Sequence, residues 1–153
     1  MTMTLTSSAF GEGGTIPKRY TGEGADISPP LAWKGVPEGT TAFVLICDDP
    51  DAPAGTWVHW VLYDIPAGVT SLEEGVARTD VVLDAARQGR TDFGNNCYGG
   101  PMPPPGKPHR YFFRLYAVDQ PTGLPPGKGK AEVLAAIEGH VLAEDQLMGT
   151  YQR

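Results

Sequence analysis

The chain has 153 residues, of which 41% are hydrophobic and 20% charged, and its formal net charge is −6. This length is enough to bury a hydrophobic core, and we predict a single domain over residues 1–153. The acidic balance supplies no basic stripe for a nucleic acid. No apolar stretch approaches the ~20 residues of a membrane span, so any membrane association is expected to be at most peripheral.

The N-terminus and the cysteines bear on the cellular compartment. Residues 1–8 have neither the basic nor the apolar segment of a secretory signal. Cys47 and Cys97 are far apart in a chain that is large enough not to need a disulfide, which favours free thiols. We therefore expect a cytoplasmic protein.

Turn-forming residues indicate a mainly β fold, because the 20 glycines and 15 prolines fall between apolar runs. Residues 42–47 form a continuous apolar run, which is typical of a strand covered on both faces. Residues 57–65 predict a central strand, since both of its faces are largely apolar. Simple alternation along it places His59 and Val61 on one face and Trp60 on the other.

Residues 110–118 predict a strand with one buried face. Tyr111 lies on the apolar face, whereas Arg110 and Arg114 mark the other face as partly solvated. His109 precedes Tyr111 by two residues, so the pair shares the buried face at the start of the strand.

Two segments carry helical patterns. Residues 71–74 resemble a capping box and predict one short helical turn. Residues 130–148 have apolar positions at helical spacing and predict a C-terminal helix, with His140 solvated on it. Gly139 costs about 1 kcal/mol relative to alanine in such a helix, so a break could occur there.

The first candidate site sequence is the acidic turn at residues 48–53, Asp-Asp-Pro-Asp-Ala-Pro, which leads into Trp57-Val-His59. Turn formation is the simpler explanation of Asp51, because aspartates accept backbone N–H bonds in turns. Asp49, held before a proline, is instead interpreted as a carboxylate that orients a histidine or accepts from an ammonium group. His59 alone would more often be a buried core histidine.

The second candidate site sequence is Tyr-Gly-Gly-Pro at residues 98–101, followed by a proline-rich run to residue 108 and by His109. The run could be a surface polyproline segment that binds an aromatic groove, but a rigid wall of a pocket is favoured. Glycine brings backbone N–H groups close to a ligand, and an anion offers only acceptors. The donors that would suit an anion belong to His59, His109, Tyr111 and Gly100.

Other chemistries have less support. Two histidines with Asp49 could form a metal triad, but no typical metal-binding spacing accompanies them, and we expect no metal and no cofactor. Cys97 beside a glycine-rich turn could be a reactive thiol, although no second cysteine lies near it in sequence. A hydrolase of small esters or phosphoesters that uses the Asp/His pocket for acid–base chemistry stays as the alternative function.

The two site sequences together, and the chain from residue 27 to residue 151, resemble the phosphatidylethanolamine-binding protein family in its bacterial branch. The resemblance implies a β-sandwich of antiparallel sheets with short helices and a C-terminal helix, and a non-enzymatic protein with a small anion pocket. It also implies a cis bond at Asp49–Pro50. The pocket residues that match the family are Asp49, Trp57, His59, Gly100, Pro101, His109 and Tyr111.

The resemblance further implies the partners. We expect a small anionic ligand such as phosphate, a phosphoethanolamine-like headgroup or an acetate-like anion, with Asp49 fixing an imidazole tautomer or meeting an amine. Trp57 and Pro101 would form walls. A homodimer, and a regulatory, inhibitor-like role through an unidentified protein partner, are compatible with the family, whereas the kinase inhibition of its animal members is not carried over to this chain.

Overall fold

The computed structural model describes residues 2–153, which form two antiparallel sheets and one α-helix. In chain order the strands are β1 (Thr4–Thr6), β2 (Leu31–Lys34), β3 (Ala42–Asp49), β4 (Trp57–Pro66), β5 (Ser71–Leu72), β6 (Val81–Val82), β7 (Ala86–Gln88), β8 (His109–Val118) and β9 (Val141–Tyr151). Helix α1 spans Lys130–Ile137, and a short 3-10 helix spans Lys18–Tyr20. The prediction of a mainly β sandwich is confirmed.

The two sheets pack face to face, and β3 lies inside the large sheet between β4 and β8. The small sheet has the order β1–β2–β5 and the large sheet the order β6–β7–β4–β3–β8–β9. Leu45 and Phe113 belong to the core between the sheets, whereas Val44 and Ile46 pack beneath Val133 of α1 on the opposite face. Every residue of β3 is buried, which explains its continuous apolar run.

An irregularity in the β3–β4 pairing changes the predicted face of His59. Cys47 pairs with Trp60 and Asp48 pairs with Val58, so His59 is left without a partner on β3. This bulge places the His59 ring against Tyr111, on the same side as Trp60, while Val61 packs on the helix side. The predicted shared face of His59 and Val61 is therefore wrong.

The predicted helix over residues 130–148 is wrong beyond Ile137. Gly139 has φ +81°, a left-handed conformation that ends helices. Residues 141–151 then pair with the whole of β8, in the register Val118↔Val141 to His109↔Tyr151. This pairing satisfies the backbone of β8, which outweighs the helical spacing of the side chains. His140 lies between α1 and β9, with Nδ1 2.8 Å from Oδ1 of Asp119.

The predicted helical turn at residues 71–74 is also wrong. Ser71 and Leu72 form β5 and pair with β2, so their backbone groups are used in the sheet. Glu74 then forms an ion pair with Arg19. Cys47 is buried and Cys97 partly exposed, and both are free thiols, as predicted. Among residues 2–153 there is no helix of the length and hydrophobicity that crossing a bilayer requires.

Candidate functional site

The acidic turn after β3 sends its carboxylates to different partners. Buried Asp48 accepts from Arg114 Nη2 at 3.0 Å and from Lys130 Nζ at 2.7 Å, away from the second site sequence. Asp49 meets His109, and Asp51 meets Arg110. Asp49 is therefore the carboxylate of this turn that lines the cavity described below.

Asp49 bridges its own turn and His109. Its Oδ2 lies 2.7 Å from Nδ1 of His109, and its Oδ1 accepts the Asp51 N–H at 2.7 Å. In the second bond the Asp49 side chain acts as the acceptor that closes the turn around Pro50. The Asp49–Pro50 bond is trans, so the expected cis bond is wrong.

Asp51 clamps the turn to the start of β8. Its Oδ1 accepts from Nη2 of Arg110 at 2.8 Å, and its Oδ2 accepts from Nε at 2.9 Å and from the backbone N–H at 3.0 Å. These bonds lower the pKa of Asp51 from 3.8 to about 2. Asp51 is thus a turn residue, as the sequence suggested, and it fixes the chain beside His109.

The two pocket histidines each use Nδ1 within the protein. Nδ1 of His59 lies 2.6 Å from the Gly99 carbonyl oxygen, which can only accept, so Nδ1 carries the hydrogen. The Asp49 carboxylate assigns the same tautomer to His109. Nε2 of both rings has no partner within residues 2–153, and it accepts when the ring is neutral and donates when the ring is protonated.

Burial governs the ionisation of the remaining polar groups. It lowers the pKa of His59, although the Gly99 carbonyl and the charge of Asp49 act in the opposite direction. Burial and then Asp49 raise the pKa of Tyr111. The Tyr111 hydroxyl is buried and within residues 2–153 makes no hydrogen bond of acceptable geometry, although the Asp49 carboxylate lies close enough to raise its pKa. Such an orphaned hydroxyl is available to a ligand.

These groups converge on a cavity of about 280 Å³. Its walls are mainly apolar and its polar groups are few. The lining residues are Asp49, Ala52, Pro53, Trp57, His59, Phe93, Met102, Pro103, Pro104, His109 and Tyr111. Five predicted site residues, Asp49, Trp57, His59, His109 and Tyr111, therefore line one cavity. A mainly apolar cavity with a few convergent polar groups is typical of a small-ligand site. No group of three or more His, Cys, Asp and Glu side chains in residues 2–153 is placed to hold a metal ion.

Gly100 and Pro101, which the sequence placed in the pocket, are not among the lining residues. The Gly100 N–H donates to Oδ1 of Asp26 at 2.7 Å, and the Pro101 carbonyl accepts from Gly22 N–H at 2.9 Å. A Cβ on Gly100 would lie 2.3 Å from the Tyr20 carbonyl oxygen, so only glycine fits there. The wall is formed by the next residues of the proline-rich run.

Phe93 was missed by the sequence analysis. Its ring centroid lies 5.6 Å from that of Trp57 and 5.2 Å from that of His59. Phe93 is 43% exposed, Trp57 36% and Met102 46%, so the mouth of the cavity is apolar and open to solvent. The available signal was an aromatic residue in the Asp92-Phe-Gly turn, which Asp92 ties to the Val58 N–H at 2.6 Å.

The comparisons with known proteins agree with this fold. The family model "Phosphatidylethanolamine-binding protein" matches residues 6–152. A UPF0098 protein of Methanothermobacter thermautotrophicus is 52% identical over 151 residues, and covers 99% of each chain. A UPF0098 protein of Aquifex aeolicus is 47% identical, over 99% of this chain and 89% of its own.

Two solved structures are similar over nearly the full length. The crystal structure of a phosphatidylethanolamine-binding protein homologue from Chlamydia trachomatis has a TM-score of 0.92 at 39% identity, covering 99% of this chain and 98% of that one. The crystal structure of Escherichia coli YbcL, described as a member of the mammalian phosphatidylethanolamine-binding protein family, has a TM-score of 0.92 at 34% identity. It covers 100% of this chain and 99% of that one. The chain belongs to the phosphatidylethanolamine-binding protein family.

Proposed function

We propose that the protein binds a small anion in the cavity between His59 and His109 and acts as a binding protein rather than as an enzyme. The observation that carries this proposal is the pair of imidazoles whose Nδ1 atoms are used by Gly99 and Asp49. Both rings keep Nε2 for a ligand, and the orphaned Tyr111 hydroxyl supplies a further donor. The volume of about 280 Å³ suits phosphate, a phosphorylated headgroup or an acetate-like anion.

The tautomers make binding depend on protons. A neutral imidazole with hydrogen on Nδ1 presents a lone pair at Nε2, which repels an anion that offers only acceptors. Binding therefore needs either a protonated ring or a ligand that brings its own hydrogen, as a phosphate monoanion does. Because the bound anion favours the imidazolium form, affinity should rise as the pH falls, and the contribution of His59 should come at a pH below that of an ordinary histidine, since burial lowers its pKa.

The apolar mouth bears on the rest of the ligand. Trp57, Phe93 and Met102 offer contact to a non-polar or cationic group attached to the anion. The family name, which describes binding to phosphatidylethanolamine, supports a phosphorylated headgroup among the candidate anions. Phosphate and phosphoethanolamine are therefore the first ligands to compare.

Calorimetric titration with phosphate, phosphoethanolamine and acetate tests the proposal. His59→Ala and His109→Ala should each weaken phosphate binding about tenfold or more, because each variant removes a charge-assisted hydrogen bond. His140→Ala is the matched control, since His140 also pairs with an aspartate but lies away from the cavity lining. Unchanged phosphate affinity in both pocket variants would overturn the proposal.

The Asp49–His109 pair at 2.7 Å also favours a second candidate, a small-ester or phosphoester hydrolase in which His109 acts as a general base. No serine, threonine or cysteine is among the lining residues, so the nucleophile would be water. Turnover of an ester and phosphoester panel that is abolished by His109→Ala, and retained by His140→Ala, would favour this candidate over simple binding.

A further inference from the structure

His59 and a second carboxylate, that of Asp26, meet at opposite ends of one peptide group. The Gly99 carbonyl accepts from Nδ1 of His59 at 2.6 Å. The N–H of the same peptide group, which belongs to Gly100, donates to Oδ1 of Asp26 at 2.7 Å. The peptide group between the two glycines thus connects the ring to the carboxylate by two hydrogen bonds in series.

We propose that Asp26 is a positioning residue for His59 and acts on it through the Gly99–Gly100 peptide group. A carboxylate that accepts the N–H polarises the peptide and makes its carbonyl a stronger acceptor. The stronger acceptor holds the hydrogen of His59 on Nδ1 and stabilises the protonated ring. The cavity then contains two Asp–His pairs, a direct one between Asp49 and His109 and a relayed one between Asp26 and His59.

The surroundings of Asp26 indicate that its position is imposed. Its φ is +58°, which a non-glycine residue rarely adopts. The Arg78 guanidinium donates to its backbone carbonyl. On the other side, a Cβ on Gly100 would approach Oδ1 of Asp26 to 2.8 Å, so the absence of a side chain permits the bond. The surrounding contacts therefore hold Asp26 in an unfavourable backbone conformation in which its carboxylate accepts from the Gly99–Gly100 peptide group, called the relay below.

Gly99 is equally constrained beside His59. Its N–H donates to the backbone carbonyl of His59 at 3.0 Å, while its carbonyl accepts from the ring. A Cβ on Gly99 would lie 2.5 Å from the Phe93 ring. The peptide group therefore has little freedom to rotate, and the relay has a defined geometry.

Other charged and titratable groups also act on His59 and must be held constant. The charges of Asp49, Asp26 and Asp48 all favour its protonated form, in that order, against the effect of burial. The titratable groups around His59 are Asp48 and Asp49 from β3, Tyr111 and His109 from β8, and Asp26.

Asp26→Asn is the decisive variant, since asparagine also tolerates the left-handed conformation and can accept from the Gly100 N–H, but has no charge. Glu23→Gln is the matched control, because Glu23 lies in the same loop and bonds Tyr151 rather than the glycine turn. Nitrogen NMR of the His59 ring, from about pH 4 to about pH 8, reports the tautomer and the midpoint of protonation.

The expected result is a His59 midpoint about 0.5 to 1.5 pH units lower in Asp26→Asn, from the interaction of two charges separated by one peptide group at intermediate dielectric. Glu23→Gln should shift it by less than half as much. Asp26→Gly, which keeps the backbone conformation but removes the acceptor, should in addition populate the other tautomer of the ring. Equal midpoints in Asp26→Asn and Glu23→Gln would overturn the inference, as would a wild-type His59 that stays neutral throughout the titration.

The consequence for ligand affinity rests on the proposed function. Phosphate affinity near pH 6 should fall about 3- to 30-fold in Asp26→Asn, in proportion to the lost protonated fraction. If the wild type binds none of the anions tested, the proposed function fails, and the NMR midpoints still decide the role of Asp26. If phosphate binds but its affinity is the same in Asp26→Asn and in the wild type, the relay is overturned and anion binding stands.

Discussion

Asp51→Asn tests how the acidic turn is held beside the cavity. Asparagine is nearly isosteric and keeps one oxygen acceptor, so the variant removes the charge without opening space. In the wild type the Asp51 carboxylate receives three bonds from Arg110. The free energy of unfolding at neutral pH should therefore fall.

The magnitude follows from the lowered pKa of Asp51. A fall from 3.8 to about 2 corresponds to about 2.4 kcal/mol if it is converted fully into stability. The Arg110 side chain is 51% exposed and that of Asp51 29%, so solvent screening reduces the expected effect to about 1 kcal/mol. For a chain of this length, that is a fall of about 2–4 °C in Tm.

The pH dependence gives the sharper result. Because the folded-state pKa of Asp51 is depressed, its contribution is present above pH 3.8 and is lost as the pH falls through about 2. Urea unfolding of both proteins at pH 7 and at about pH 3 should show the difference shrinking by about half. Asp84→Asn is the control, since Asp84 makes no ion pair or side-chain hydrogen bond among residues 2–153 and its φ of +66° suits asparagine. A destabilisation that is independent of pH would refute the electrostatic reasoning.

Three other substitutions test the cavity and the chain reversal after α1. Tyr111→Phe removes a buried hydroxyl without a partner, so urea unfolding should show unchanged stability or a gain of up to about 1 kcal/mol. Calorimetry should show a loss of phosphate affinity of about 2- to 10-fold. A large loss of stability would mean that the hydroxyl is bonded in the free protein. Gly100→Ala places a methyl group 2.3 Å from a backbone oxygen, so the free energy of unfolding in urea should fall by about 2 kcal/mol or more, and an unchanged midpoint would contradict the close approach. In Gly139→Ala no atom lies within 4 Å of the added methyl group, so the only cost is that alanine disfavours the φ of +81°. The free energy of unfolding in urea should fall by about 1 kcal/mol, and the helical circular dichroism should be unchanged. A rise in helix content would show that β9 pairing does not determine this segment.

The sequence predicted those features that depend on side-chain type along one strand. The burial of β3 and the inward face of β8 follow from apolar patterning, and five of the seven predicted site residues line one cavity. The predictions that failed depend on partners distant in the chain. Residues 141–151 have helical spacing, but the open edge of β8 converts them into a strand.

The same limit applies to the site. Alternation along β4 predicts the wrong side for His59, because the bulge is set by the pairing of β4 with Cys47 and Asp48 of β3. The N–H of Gly100, predicted as a donor to the anion, is already bonded for a related reason, since it is taken by Asp26, which is far away in sequence. Donor chemistry identifies which groups could bind an anion, but the fold decides which of them are already bonded.

The arrangement of charge around the cavity distinguishes it from an arginine-based anion site. No lysine or arginine is among the lining residues, whereas Asp49 is. With both imidazoles neutral, the lining therefore has a net negative charge, and an anion that enters must be accompanied by a proton or by a positive group of its own. An arginine stays charged at any physiological pH and would hold an anion regardless of proton supply. A cavity built from two aspartate-supported histidines should instead release its anion as the pH rises, and should favour ligands such as phosphate monoanions or headgroups that carry an ammonium group.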